Sequence, residues 1–207
     1  KRFSKFSKTE TRVSEILILV YTSSGNTLNL AREIARGVES TEGCSARLRG
    51  VAPITSAVDP ERRDLPDDGP ALVERSDLAD CDGLILGSPT RFGNMAAPLK
   101  YFLDTTSAEW FSGTLAGKPA GVFTSTSSLH GGQEATLLSM MVPLLHHGMY
   151  LVGLPYTERS LATTESGGTP YGPTHWSGPD SDRRLDETEI RLARALGRRV
   201  AELAVRL

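Results

Sequence analysis

The sequence of 207 residues lacks the features that mark several large classes of protein. Its only two cysteines, Cys44 and Cys81, form no CxxC pair, which argues against a disulfide scaffold and predicts reduced thiols in a cytoplasmic protein. No apolar run approaches the ~18 residues of a membrane span, and no secretory apolar core is present, so we expect no membrane insertion. Internal repeats and low-complexity blocks are also missing. These absences leave a globular chain of one domain.

An excess of positive charge is missing as well. The chain carries 23 Lys and Arg residues against 25 Asp and Glu residues, a formal net charge of -2. Basic residues concentrate at the start, and beyond residue 12 the chain has 18 basic and 24 acidic side chains. The excess of acidic residues in this part of the chain argues against a nucleic-acid partner. We expect residues 1–13 to form a disordered basic tail and residues 14–207 to form the domain.

Several catalytic motifs do not occur. There is no GxGxxG fingerprint, no GxSxG nucleophile elbow and no HExxH metal motif. The adjacent His146 and His147 would point about 100° apart on a helix, so they cannot share a metal ion. We therefore expect no metal site, and we interpret His147 as a structural or solvent-facing residue. No side-chain nucleophile is expected to carry the chemistry.

The sequence alternates between two hydrophobic patterns, continuous apolar runs typical of buried strands and the spacing typical of amphipathic helices. Apolar runs at residues 16–21, 83–87, 120–124 and 149–154 have the length and composition of buried parallel strands, and a further strand is plausible at residues 46–51. Segments with helical spacing separate them, and a last helix begins at Asp186 with Glu189 in capping-box spacing. This pattern predicts an α/β fold, a doubly wound five-stranded parallel sheet with helices on both faces. Residues 52–75 and 155–184 are expected to be long surface excursions.

Polar residues follow three of these strands, where each apolar run stops. Because parallel strands end at one edge of a sheet, these residues are expected to lie close together. The first loop, residues 22–27, offers hydroxyls, an amide and a glycine ahead of a helix, which suits a phosphate group. Its members are Thr22, Ser23, Ser24, Gly25, Asn26 and Thr27. It lacks a Walker lysine, and a turn that merely caps the helix is the alternative reading.

The other two loops add groups that suit a planar ligand. The second loop, residues 88–95, carries a guanidinium and an aromatic ring that can grip a flat polar heterocycle by edge and face. Its candidate ligand-binding residues are Pro89, Thr90, Arg91 and Phe92. The third loop, residues 125–132, begins with Ser125, Thr126, Ser127 and Ser128. Each loop alone is compatible with an ordinary turn or linker, but a phosphate site beside a ring site describes a pocket for flavin mononucleotide (FMN).

These strings resemble those of a known family. The first loop resembles the phosphate loop that flavodoxin-like proteins share. Over residues 14–207 the chain resembles the WrbA-type NAD(P)H:quinone oxidoreductases, most specifically in PTRFGNM at residues 89–95 and GGTPYG at residues 167–172. Shorter matches are Trp110, GGQE at residues 131–134 and HHGM at residues 146–149.

The resemblance implies a flavodoxin-like fold, FMN as cofactor, NADH or NADPH as hydride donor and a quinone as substrate. Hydride would pass from the nicotinamide to flavin N5 and then to the quinone in a ping-pong cycle. The first loop would hold the phosphate, Thr90 to Phe92 would line the ring, and residues 125–128 would meet the ribityl chain and ring edge. His146 and Trp110 would complete the pocket across a subunit interface of a homotetramer, with His146 stabilising negative charge on the reduced ring.

The chain departs from the family pattern at two places. Ser24 stands where better-known members carry a tyrosine that faces the nicotinamide, and Leu129 with His130 is inserted where glycines are usual. Two alternative functions stay open. A flavodoxin-type electron carrier is disfavoured by the extra length, by Trp110 and by the GGTPYG segment. A non-catalytic regulatory interaction protein finds no support in the residues.

Overall fold

The computed structural model describes residues 12–54 and 69–207. The basic tail predicted for residues 1–13 therefore lies outside the described residues except for its last two, and so does most of the excursion predicted for residues 52–75. No helix within the described ranges has both the length and the apolar character needed to cross a lipid bilayer.

Seven strands and six α-helices make up the described structure. The strands are β1 (Ser14–Val20), β2 (Cys44–Gly50), β3 (Gly83–Arg91), β4 (Asn94–Met95), β5 (Pro119–Thr126), β6 (Tyr150–Leu151) and β7 (Thr174–Trp176). The helices are α1 (Asn26–Glu39), α2 (Arg75–Asp80), α3 (Ala97–Asp104), α4 (Ser107–Phe111), α5 (Gln133–His146) and α6 (Glu187–Arg206). A 3-10 turn covers Arg159–Ala162.

Five strands run parallel in the order β2-β1-β3-β5-β6, which confirms the predicted doubly wound, flavodoxin-like sheet. Alternate side chains of β1 enter different cores. Ile16 and Ile18 pack with α1 and α6, while Leu17 and Leu19 pack with α3 and α5 on the other face. All four side chains are fully buried, because helices cover both faces of the sheet. This double burial explains why residues 16–20 of β1 form a continuous apolar run.

The first loop is held in place by the close packing of α1 against α6. A methyl group placed on Gly37 would lie 2.1 Å from the Arg194 carbonyl oxygen, and one on Gly197 would lie 2.2 Å from the Ile34 carbonyl oxygen. Only glycine allows the two backbones to approach so closely. The contact fixes the axis of α1, whose N-terminus follows the first loop.

The structure corrects several predicted boundaries. β3 continues through Arg91 and β5 through Thr126, so the second and third loops begin as strand, with Ser88 and Thr124 in register. In these two strands the backbone hydrogen bonds continue beyond the last apolar side chain. The hydrophobic pattern of the sequence therefore places the strand ends too early. The strand predicted at residues 149–154 is reduced to the two residues of β6. The excursion 155–184 contains β7, which extends the sheet parallel to β5.

Candidate functional site

The first loop is a tight turn at the N-terminus of α1. The Thr22 side chain is buried, and its hydroxyl oxygen accepts the Gly25 backbone N–H at 3.0 Å. Gly25 is the N-cap residue with φ +85°, and no side chain caps the helix. The first N–H groups of α1 therefore point outward with the positive end of the helix dipole, which favours an anion.

The second loop is a β-hairpin formed by β3 and β4. The Arg91 guanidinium donates to the Thr90 carbonyl oxygen at 2.8 Å and to the Ser23 hydroxyl at 3.1 Å, so it links this hairpin to the first loop. Phe92 at the hairpin tip has φ +53° and is fully exposed. A phenylalanine in the left-handed region with its whole ring in solvent is unusual, and such positions cluster at ligand or partner contacts.

Hydroxyl groups tie the base of the hairpin to the third loop and α5. The Thr90 hydroxyl lies 3.0 Å from that of Thr136 and 3.4 Å from that of Thr124. The Thr124 hydroxyl in turn donates to the Ser88 carbonyl oxygen at 2.7 Å. These contacts link β3, which carries the second loop, to β5, which carries the third loop. They fix the distance between the ends of the two strands.

The third loop is fastened at both of its ends. The Thr126 hydroxyl donates to the Ser128 carbonyl oxygen at 2.9 Å and accepts from the Gln133 amide at 3.0 Å. The Gly131 N–H also donates to the Ser128 carbonyl oxygen, at 3.1 Å. The Trp176 indole N–H donates to the Ser127 carbonyl oxygen at 3.3 Å. The loop is thus ordered by its own backbone and by β7.

The three loops enclose one cavity of about 580 Å³, a volume typical of cofactor sites. Its lining residues are Ser23, Ser24, Thr27, Pro89, Thr90, Arg91, Phe92, Ser125, Thr126, Ser127, Ser128, Gly131, Ser177 and Ser181. Eleven of them were candidates from the sequence. Thr22, Gly25 and Asn26 shape the first loop without lining the cavity. Gly131 could have been suspected from the glycine pair before α5, whereas no sequence signal pointed to Ser177 or Ser181.

His146 and Trp110 are not brought to this cavity within one chain. They line a separate cavity of about 500 Å³ between α3, α4 and α5. The Trp110 indole N–H donates to the His146 carbonyl oxygen at 2.8 Å, and the Trp110 side chain is half exposed. A pocket completed by both residues and the three loops therefore requires a second subunit.

His147, next in the chain, is buried. The Thr106 hydroxyl donates to the Leu103 carbonyl oxygen at 2.7 Å, so it accepts from His147 Nε2–H at 3.0 Å. Burial lowers the pKa of His147, with a smaller effect in the same direction from His146 and an opposing one from Glu109. Its neutral ring anchors α4 to the end of α5, which agrees with the structural role predicted for it.

The lining of the larger cavity fits FMN. A phosphate would find the uncapped α1 terminus beside the Ser23, Ser24 and Thr27 side chains, and a planar ring would find the hairpin and the third loop. Among the described lining residues there is one cation, Arg91, and no carboxylate that would repel a phosphate. A doubly wound sheet with such a pocket at the carboxyl ends of its strands defines a flavodoxin-like, FMN-binding class of protein.

Comparison with known proteins narrows the class to a family. The sequence profile of the NADPH-dependent FMN reductases matches residues 15–160. A protein of Trichlorobacter lovleyi named NAD(P)H dehydrogenase (quinone) is 45% identical over 94% of this chain and 99% of its own. A protein of the same name from Chromohalobacter salexigens is 42% identical with the same coverage. The chain belongs to the NADPH-dependent FMN reductase family.

A solved structure supports the same placement. The WrbA-like flavodoxin of Agrobacterium tumefaciens superposes with a TM-score of 0.64 at 26% identity, covering 92% of this chain and 97% of that one.

Proposed function

We propose that this protein reduces quinones with NAD(P)H as electron donor and FMN as cofactor. The observation that carries the proposal is the cavity at the carboxyl ends of the strands, where an uncapped helix N-terminus, hydroxyl groups and Arg91 converge without an opposing carboxylate. The two relatives named NAD(P)H dehydrogenase (quinone) support the choice of substrate, since each matches nearly the whole chain.

Bound FMN supplies the chemistry, because it accepts two electrons from a nicotinamide and passes them to a quinone. The protein's part is to bind and orient. Ser23, Ser24, Thr27 and the first N–H groups of α1 hold the phosphate. Residues 90–92 border the ring, and residues 125–128 border the ribityl chain and the ring edge. No side chain of this site needs to act as a nucleophile.

We further propose a homotetramer in which one subunit completes the cavity of another. Large apolar side chains are exposed on α4, on α5 and at the hairpin tip. They are Phe92, Trp110, Phe111, Leu138, Val142 and Leu145. Exposed large apolar side chains concentrated in this way are typical of a subunit interface. Burying it against a second copy would bring Trp110 and His146 of one subunit to the open face of its neighbour's cavity.

Turnover is tested under anaerobic conditions with FMN-loaded protein, NADH or NADPH, and a soluble benzoquinone. We expect one quinol formed per nicotinamide oxidised, and no reaction with apoprotein. An electron carrier would instead leave the nicotinamide unoxidised unless a separate reductase were added.

The shared pocket is tested by subunit mixing. Thr27→Val damages the cavity, while Trp110→Ala damages only the surface that a neighbour would receive. The assay uses an FMN concentration that saturates the parent but lies below the dissociation constant of Thr27→Val. Mixed oligomers pair the intact cavity of one variant with the intact Trp110 of the other, so we expect mixing to raise activity above the sum of the two variants alone. A pocket contained in one chain would show no recovery.

A further inference from the structure

One wall of the larger cavity comes from a part of the chain with no assigned role. Residues 174–183, here called the wall segment, contain β7 and the turn after it. The segment supplies Ser177 and Ser181 to the cavity lining. It lies in the excursion that carries no hydrophobic period, and it precedes α6.

The wall segment is hydrogen-bonded to two of the three loops. Besides the Trp176 bond to the Ser127 carbonyl oxygen, Ser177 donates to the Thr126 carbonyl oxygen through its N–H at 2.8 Å and its hydroxyl at 3.1 Å. The Asn26 amide donates to the Ser181 carbonyl oxygen at 2.9 Å. Ser181 has φ +58°, an uncommon backbone conformation that this contact accompanies. The segment thus braces the first and third loops from one side.

A buried carboxylate fixes the wall segment to α6. Glu189 is fully buried, and its Oε1 accepts the backbone N–H groups of Trp176 at 3.0 Å and Gly167 at 3.1 Å. Its Oε2 accepts the Asp186 N–H at 3.1 Å and lies 2.9 Å from His175 Nδ1. A buried charge persists only when its lone pairs are satisfied in this way. The Glu189 carboxylate is therefore the anchor of the segment.

His175 and Arg183 complete the anchor. Both ring nitrogens of the buried His175 lie within hydrogen-bonding distance of oxygen atoms, Glu189 Oε2 at 2.9 Å and the Arg183 carbonyl oxygen at 3.1 Å. The Arg183 guanidinium lies 4.7 Å from the centre of the Trp176 ring and donates to the Trp176 carbonyl oxygen at 2.9 Å. Arg183 therefore contacts both the backbone and the ring face of Trp176.

We propose that Trp176 is a positioning residue for flavin binding, whose indole N–H holds the Ser127 carbonyl group so that the third loop is already formed when FMN enters. Glu189 and Arg183 act through Trp176, by fixing the orientation of its ring. Preorganisation of a loop raises affinity because the ordering cost is met before the ligand arrives. The proposal rests on the FMN site proposed above.

The test is flavin affinity measured by fluorescence quenching on the apoprotein. Trp176→Phe keeps an aromatic ring under Arg183 but lacks the indole N–H and the five-membered ring that carries it. We expect the FMN dissociation constant to rise about 3- to 10-fold, the range for loss of one uncharged hydrogen bond. Riboflavin affinity should fall by the same factor, because the third loop faces the part of the ligand that both flavins share.

Two further variants make the result decisive. Tyr156→Phe removes one polar group from an exposed ring elsewhere in the same excursion, and it should bind flavins like the parent. Arg183→Lys keeps the charge but loses planar stacking, and it should weaken both flavins by a smaller factor than Trp176→Phe. If Trp176→Phe fails to fold, as circular dichroism would reveal, Arg183→Lys alone decides.

The outcomes separate this inference from the proposed function. Parental binding of FMN together with unchanged affinity in Trp176→Phe and Arg183→Lys would overturn the positioning role and leave the site intact. Selective loss of FMN, with riboflavin unaffected, would also overturn it, because that pattern belongs to the phosphate contacts. A parent protein that binds no FMN would remove the proposed function and this inference together.

Discussion

Replacing Thr27 by valine isolates the phosphate contact from the rest of the site. Thr27 lines the cavity at the start of α1, whereas the Thr22 hydroxyl is already used by the Gly25 N–H. Valine has nearly the same shape and β-branching as threonine, so the helix and its packing should persist. Only the hydroxyl donor to the phosphate is lost.

The expected magnitude follows from the charge on the ligand. A hydrogen bond to a charged group contributes about 1.5–3 kcal/mol, and each 1.4 kcal/mol is tenfold in affinity. The FMN dissociation constant of Thr27→Val should therefore rise about 10- to 100-fold. Riboflavin, which has no phosphate, should bind the variant and the parent equally.

The assay is a titration of apoprotein with FMN and with riboflavin, followed by quenching of flavin fluorescence. Thr22→Val is the informative companion, because loss of the turn contact should lower thermal stability as well as affinity. An unchanged FMN affinity in Thr27→Val, or equal weakening of both flavins, would refute the assignment of the first loop to the phosphate.

Three further predictions follow from burial. Burial lowers the pKa of His147 in the folded chain. At a pH just below the ordinary value of about 6.5, His147 is therefore protonated more fully in the unfolded chain than in the folded chain. Stability should therefore fall as the pH drops below about 6.5, by at most about 1.4 kcal/mol per pH unit. Urea unfolding at two pH values should show a smaller loss in His147→Gln, and an equal loss would contradict this. Burial raises the pKa of the Cys81 thiol to about 11, so a thiol reagent should modify it only after unfolding. Gly197→Ala forces a methyl group onto the Ile34 carbonyl oxygen and should destabilise the protein by roughly 1–3 kcal/mol, measured by thermal melting.

The sheet and the three loops could be predicted because their physical causes are local in the sequence. Residues 16–20 of β1 are buried on both faces of the sheet, and all five are apolar. The polar residues after such a run must lie at the sheet edge where ligands bind. Eleven lining residues of the cavity belong to the loops that these two rules identify.

The wall of the cavity could not be predicted because its causes are distant in the sequence. β7 is three residues long and pairs with β5, some fifty positions earlier in the chain. Ser177 and Ser181 reach the cavity in a segment that Glu189 and Arg183 help to hold, and no pattern in residues 174–183 reveals those contacts. The separation of Trp110 and His146 from the cavity is likewise a property of the folded chain, since it depends on how α4 and α5 pack.

The most direct test of the account is the visible spectrum of FMN-loaded protein under anaerobic conditions, recorded before and after one equivalent of NADH or NADPH and again after one equivalent of a benzoquinone. The account predicts that the flavin absorption bleaches with the nicotinamide and returns in full with the quinone. A flavin band that does not bleach, or that bleaches and stays bleached after quinone is added, would contradict it.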